Sequence, residues 1–424
     1  MKKARWPAND TRFPKRGLFA ARYANLIARG ESDEERLARK LARLKMEKIV
    51  LGTAGAIKLP TRIPLSRIRK QSLIGLEKFQ RELEKQRKKQ KGKGLDVFPG
   101  DFIELIKDEV AKKQRRPRNF GELASALPYF DWRLTGIVNQ PRNQGDCDSC
   151  WAFTAAEAFE SRLMYNINRT RLFNISDPNP VIQIALCVQG VLDCVRGGSC
   201  DGGHHADAFD HFLKNGARLF DLNEQGVLID DSGALLGKQR PCKEEIGNGI
   251  KALAWCFVFE SNPVLIPRGE ASIRKMKRAL LEYGTLAVML TKGVTTEFDE
   301  YREENYRRGV FRPAAEAPRV PVGDHEALLT GWDDSRNSWI ILNSFGDKWG
   351  GSCVDLSKVR KYFPWTMPNA LNLRKQRGCM YIERGINNIG QMAAWIETRL
   401  DNEKWLKKAR TEIAERKANW IVRS

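Results

Sequence analysis

Apolar positions along this chain change their spacing twice. In residues 31–51 (ESDEERLARKLARLKMEKIVL) they recur at helical spacing, with acids in the first turn where they suit the helix dipole. Residues 72–90 predict a second helix that runs out into the solvated, glycine-containing QRKKQKGKG, and residues 101–113 (DFIELIKDEVAKK) predict a third, short one. From Leu127 the texture becomes mixed, rich in Trp, Gly and Cys. There, residues 150–165 (CWAFTAAEAFESRLMY) read as a helix. The short apolar runs 285–290 (TLAVML), 327–332 and 338–343 (SWIILN) read as buried strands. A helix first and strands later predicts an α+β domain rather than alternating βαβ units. The tail, roughly 391–420, reads as an amphipathic helix carrying Trp395, Trp405 and Trp420. Three units are therefore expected: a helical N-terminal region over 1–124, a mixed domain over 125–388, and a C-terminal amphipathic helix over 389–424.

Charge sharpens that division. The chain of 424 residues carries 73 Lys+Arg against 52 Asp+Glu, a formal +21. Residues 1–130 hold 33 basic and 15 acidic side chains, whereas residues 131–390 are balanced at 32 of each. A basic arm joined to a neutral body predicts either solvated Lys/Arg-rich helices or an acidic partner, nucleic acid or an anionic surface. Without regular aromatic interleaving in 1–124, nucleic-acid binding there would be nonspecific and strongly salt-dependent. No apolar run reaches the roughly 20 residues of a membrane span, so none is expected. The basic first residues lead into no apolar segment of the kind a secretory signal has.

All nine cysteines lie between Cys147 and Cys379. If one is catalytic, the other eight are enough for up to four bridges, which suits an oxidising or packaged environment and leaves the compartment open. The set Cys187, Cys194 and Cys200 lacks the close CxxC pairing of a zinc site, so no metal and no cofactor are expected. His204, His205 and His211 read as surface or core residues.

The chemistry concentrates in QPRNQGDCDSCWAF, residues 140–153. A cysteine in the first turn of a helix sees the positive end of the helix dipole, which favours its thiolate. An imidazole beside it completes an ion pair and later protonates a leaving amine. His325 precedes an apolar strand-like run, and Asn343 ends another one eighteen residues on. Neighbouring strands would bring the two together, the amide fixing the ring's tautomer.

These segments carry a resemblance. DWRLTGIVNQPRNQGDCDSCWAF resembles the surroundings of the active-site cysteine in papain and the cathepsins. SCDGG resembles that family's Cys-Asn-Gly-Gly turn, and DHEALLTGW with LNSFGDKWG resembles its His and Asn segments, in the family's order. The resemblance covers about 131–385. It implies a papain-like two-lobed fold, a helical lobe plus an antiparallel β-barrel-like lobe, with the helical basic region as an N-terminal extension.

It also implies a cysteine endopeptidase acting on protein or peptide substrates. Cys150 would be the nucleophile, His325 the general base and acid, Asn343 the ring orienter and Gln144 an oxyanion donor. Gly202 and Gly203 would let a substrate backbone approach, Asp148 and Trp349 would flank it, and Cys147 and Cys200 would bridge. The main specificity pocket would lie near Glu383 or Arg384. Residues upstream of about 125 occupy the place of an inhibitory pro-segment, with the basic run 114–118 (QRRPR) as an exposed processing site; the alternative is a permanent docking arm. A protease fold kept as a structural or binding module in an assembly is the competing reading of the whole chain.

Four features depart from the family's pattern. Asp148 stands where Gly is usual, which would favour a basic residue on the substrate or narrow the site. Phe345 replaces the Trp that shields the His–Asn bond. Glu326 follows the histidine where a small residue is usual, and would either raise the imidazole pKa or point to solvent. The 175 residues from Cys150 to His325 exceed the family's roughly 130–150. An insertion of roughly 40 residues is therefore expected within 217–270, as a surface elaboration or a lid.

Overall fold

The structure is a computed structural model that describes residues 102–168, 185–217, 239, 241–242, 250–292, 296–313 and 323–398. The helices expected over 31–51 and 72–90, the basic arm as far as residue 101, most of the expected insertion and the tail beyond 398 lie outside the described residues. Among the described residues no helix is long and apolar enough to cross a membrane.

The expected third helix is present as α1 (Phe102–Ala111), followed by α2 (Phe120–Ala126). Phe102, Ile103, Ile106 and Val110, at i, i+1, i+4 and i+8, put one buried stripe on α1. Phe102 reaches the rings of Phe130, Trp132, Phe363 and Trp365. Packing thus extends upstream of residue 124, and α1 is part of the core. The basic loop 112–118 between the two helices is exposed apart from Pro117, and Asn119 caps α2 by accepting from the Glu122 N–H.

Chain texture beyond Leu127 gives an α+β unit. Strand β1 (Tyr129–Asp131) leads to α3 (Cys150–Asn168), α4 (Val188–Cys194) and α5 (His205–Lys214). Then follow β2 (Ala252–Phe257), α6 (Glu270–Tyr283), β3 (Leu286–Leu290) and β4 (Val310–Phe311). The remaining elements are β5 (His325–Asp333), β6 (Ser338–Leu342), α7 (Leu356–Tyr362), α8 (Met367–Leu373), β7 (Cys379–Glu383) and β8 (Gln391–Thr398). The sheet runs β2-β8-β3-β5-β6-β7-β4, with β1 on β5, and every pairing but β4–β7 is antiparallel. Helix α3 packs on β5 and β8 and also against α4 and α5, joining the helices to the sheet.

One sequence expectation changes here. The stretch from 391 is not helical at its start: residues 391–398 form β8, an interior strand between β2 and β3. Its Ala-rich, amphipathic text fits a helix, but Met392, Ala393, Ala394, Trp395 and Ile396 are all buried, and pairing on both edges overrides propensity. The window 217–270, within which the insertion is expected, also holds β2, a sheet strand whose Cys256 is buried. Of the nine cysteines four are bridged, Cys147–Cys200 and Cys194–Cys242. The first is the pairing the resemblance implies; the second ties α4 to the expected insertion.

Candidate active site

Cys150 is the first residue of the 19-residue α3, where unpaired N–H groups and the helix dipole favour an anion on its sulphur. The preceding loop is held by the Cys147–Cys200 bridge and by the Asp148 N–H donating to the Cys200 carbonyl at 2.9 Å. Gln144 is placed by its backbone N–H on the Ser344 carbonyl, 2.8 Å, and by the Ser344 hydroxyl donating to its Oε1, 2.5 Å. One Nε2 proton goes to the Cys147 carbonyl at 3.0 Å, which leaves the second for a ligand.

His325 opens β5 and Asn343 directly follows β6. These strands are antiparallel with Leu328 opposite Leu342, so the register brings both residues to one end of the pair. His325 Nε2 lies 2.7 Å from Asn343 Oδ1. The amide oxygen only accepts, so Nε2 carries the proton and Nδ1 is left for chemistry. Rings of Phe298 and Phe345 stand 5.5 and 5.1 Å from the imidazole. Trp349 backs both and donates its Nε1–H to the Phe298 carbonyl. Phe345 therefore supplies the apolar cover, and Trp349 is a buried brace for that wall rather than a residue flanking the cleft.

Cys150, His325 and Asn343 are all buried. Burial drives the histidine down to about 3, helped by the Lys292 ammonium and opposed by the Asn343 bond. Burial likewise pushes the Cys150 thiol well up, with the Glu326 and Asp148 carboxylates adding to it. The Glu326 backbone N–H on the sulphur and the Lys292 charge pull it back. Each group alone thus resists charge.

The other named residues sort as follows. Gly202 takes φ +112°, a conformation that L side chains rarely adopt. At Gly203 a Cβ would stand 2.5 Å from the Trp151 indole, so its lack of a side chain admits Trp151. Asp148 sits partly buried at the rim; burial lifts its carboxyl to about 7, against the pull of Lys292. Glu383 and Arg384 are turned to Arg312 and Asp334. They lie at the far end of β7, since Cys379 pairs with Leu342 and Glu383 with Ser338. Four residues of strand, roughly 13 Å, separate them from the Asn343 end, so they do not line the site.

Glu326 neither faces solvent nor acts on His325. Successive strand residues point to opposite faces, so its fully buried carboxylate turns to His204 and His205. The sequence reading missed this cluster and Lys292. Lys292 Nζ lies 3.2 Å from Asp299 and 5.5 Å from the Phe345 ring, and its backbone N–H donates to Asp324. The one visible signal was a lysine closing the strand-like run TLAVML two residues on.

A family model for papain family cysteine protease matches residues 127–354. Cathepsin 7 of Rattus norvegicus is 27% identical over 261 residues, 59% of this chain and 67% of that protein. Cathepsin K of Mus musculus is 28% identical over 224 residues, 52% of this chain and 56% of that protein. The matched stretches thus span from just over half to about two thirds of these relatives. Among solved structures, the bromelain protease from Ananas comosus in complex with the E64 inhibitor is 22% identical. That likeness covers 64% of this chain and 99% of the other, at a TM-score of 0.42.

Proposed function

Because this chain belongs to the papain family of cysteine proteases, we propose that it hydrolyses peptide bonds in protein substrates with Cys150 as nucleophile. The single observation that carries the residue assignment is the 2.7 Å contact from His325 Nε2 to Asn343 Oδ1, which fixes the ring with Nδ1 free. In this reading the Cys150 thiolate attacks the scissile carbonyl carbon. The oxyanion that forms is met by the Cys150 backbone N–H and the second Nε2 proton of Gln144. His325 gives its Nδ1 proton to the leaving amine, the C–N bond breaks, and a thioester remains on Cys150. A water then attacks the thioester, losing a proton to His325, and releases the carboxylic acid with the thiolate restored.

Residues 1–124 stand in this reading in the place of a pro-segment cut within 114–118, and α1, packed in the core, stays with the body after the cut. The support is positional: the family match begins at residue 127, and the basic loop just before it is exposed.

Covalent labelling with an epoxide warhead selective for activated cysteines tests both parts. Full-length protein and protein cut at 114–118 are compared, each beside Cys150→Ala, with the modified residue mapped by mass spectrometry. Labelling of Cys150 is expected in the cut protein and suppressed in the intact one. Equal labelling in both removes the inhibitory role and keeps the enzyme; no labelling of folded, cut protein removes the enzyme.

A further inference from the structure

Lys292 stands at the catalytic end of the sheet, held there by backbone as well as side chain. Leu290, the last residue of β3, pairs with His325, the first of β5, and Lys292 follows two residues on. Its backbone N–H donates to Asp324 Oδ1 at 2.7 Å, and the Asp324 N–H donates to the Leu290 carbonyl at 2.9 Å. At Gly323 a Cβ would stand 2.3 Å from the Leu290 carbonyl oxygen, so the two segments meet too closely for a side chain there. We propose that Lys292 is a charge-positioning residue of the hydrolytic reaction: its fixed ammonium stabilises the Cys150 thiolate and moves the working pH range of the enzyme downwards. The proposal rests on the reading of Cys150 as nucleophile and His325 as base.

The ammonium is placed by three contacts in series. Lys292 Nζ lies 3.2 Å from Asp299 Oδ1 and 5.5 Å from the centre of the Phe345 ring. That ring stands 5.1 Å from the imidazole of His325, so one apolar wall separates the ammonium from the catalytic base. Lys292 keeps 27% of its side-chain surface exposed, and water screens its charge only in part. Burial works against the ammonium, but the Asp299 and Asp324 carboxylates and the Cys150 sulphur more than restore it. Lys292 therefore holds its proton beyond the ordinary lysine range and is a constant charge at neutral and acid pH.

A constant positive charge acts with the same sign on both members of the pair. It favours loss of the Cys150 proton and disfavours gain of a proton on His325. Burial makes the main shift in each group, and on top of it Lys292 draws the thiol and the imidazole downwards together. Hydrolysis begins where the thiolate forms and ends where the imidazolium is lost, so both limbs of its pH profile move to lower pH.

Other charges face the same space. They are Asp299, Asp324 at the entry to β5, Asp148 in the loop before α3 with Asp201 beside it, and Glu326 on β5. Burial lifts Asp324 to about 6 and Asp148 to about 7. Their negative charge fades as the pH falls, and the ammonium then acts with less opposition. A lysine that served only to anchor Asp299 would leave the pH profile where it was.

The test reads the thiolate directly. Iodoacetamide, small and uncharged, is reacted with full-length protein before and after cutting at 114–118, from about pH 3 to about pH 10. Mass spectrometry follows Cys150 by itself, because Cys187, Cys256, Cys353 and Cys379 are also free. In Lys292→Met the pH at which Cys150 alkylation sets in should rise by about 0.5–1 unit. Both limbs of kcat/KM on a neutral peptide should rise with it, while Lys292→Arg, which keeps the charge, should hold them in place. Circular dichroism identifies a variant that fails to fold, and Lys292→Gln then decides on the same readings. Unmoved limbs, or a change confined to KM, overturn the proposal and leave Lys292 as an anchor for Asp299 or a substrate contact. A reactive Cys150 with an unmoved profile leaves the protease reading standing, whereas a Cys150 that is alkylated in no form of the protein removes both.

Discussion

His325 and Asn343 touch through Nε2 and Oδ1 at 2.7 Å although eighteen residues separate them, because the β5–β6 register ends both strands at the same edge. The bond selects a tautomer as well as a position. A hydrogen bond that strengthens when its donor becomes charged is worth about 1.5–3 kcal/mol. Asn343→Ala should therefore lower kcat/KM about 10- to 100-fold on a peptide substrate, while Cys150→Ala abolishes turnover. Unchanged kcat/KM in Asn343→Ala would remove the orienting role.

Gln144 offers a cleaner separation of binding from chemistry. Its amide oxygen is pinned by Ser344 and one amide proton by the Cys147 carbonyl, so the second proton is the one left for a ligand. Gln144→Ala should reduce kcat about 10²- to 10³-fold with little change in KM. A rise in KM at constant kcat would make it a substrate-binding residue instead.

Asp148 gives a pH test. Burial, with Asp201 and Asp324 adding to it, lifts its carboxyl to about 7, so it is neutral below that pH and charged above. If it faces a basic substrate side chain, the preference for Lys- or Arg-bearing peptides over neutral ones should grow about fivefold as pH rises from 6 to 8. Asp148→Asn should flatten that ratio. A ratio that ignores pH in the unsubstituted enzyme assigns Asp148 to narrowing the cleft.

Glu157 makes a stability prediction on the inner face of α3. Burial raises it from 4.5 to about 8, with Arg142 opposing and Glu160 reinforcing the shift. Between those values the folded chain holds a proton that the unfolded chain has released, so stability falls as pH rises from about 4.5 to about 8. In a Cys150→Ala background, which prevents self-digestion, Glu157→Gln should show a smaller drop in Tm from pH 5 to pH 8. An identical drop would show that Glu157 is not the titrating group.

The α1 helix can be tested through its first residue. Phe102 is buried among four aromatic rings, so Phe102→Ala should cost about 3–5 kcal/mol in denaturant unfolding. Because α1 precedes the exposed loop 112–118, cleavage there should leave it docked. Two bands on a denaturing gel should coelute as one species in native size exclusion. Loss of α1 on cleavage would make it part of the released segment.

The sequence made some of this site legible and hid the rest for definable reasons. The Cys150 loop is local, so its helix start, its glutamine and its paired cysteines all fall within one short run. His325 and Asn343 were legible because each borders an unbroken apolar strand. Glu326 was not, since which face a strand residue serves depends on what packs there, and two buried histidines 121 and 122 positions earlier supply that context. Residues 391–398 were misread because QMAAWIET satisfies a helical pattern; only β2 and β3, distant in sequence, make it a strand.

The position of β8 bears on how the enzyme is born. His325 lies on β5, β5 leans on β3, and β3 is backed by β8, the last strand of the described chain. Synthesis delivers Cys150 long before Gln391. Until residues 391–398 leave the ribosome, β2 has no partner strand and β3 presents an open edge, so the lobe that seats the histidine cannot close. A nascent chain would carry Cys150 without a finished site around it, so the site closes only once residue 398 is made.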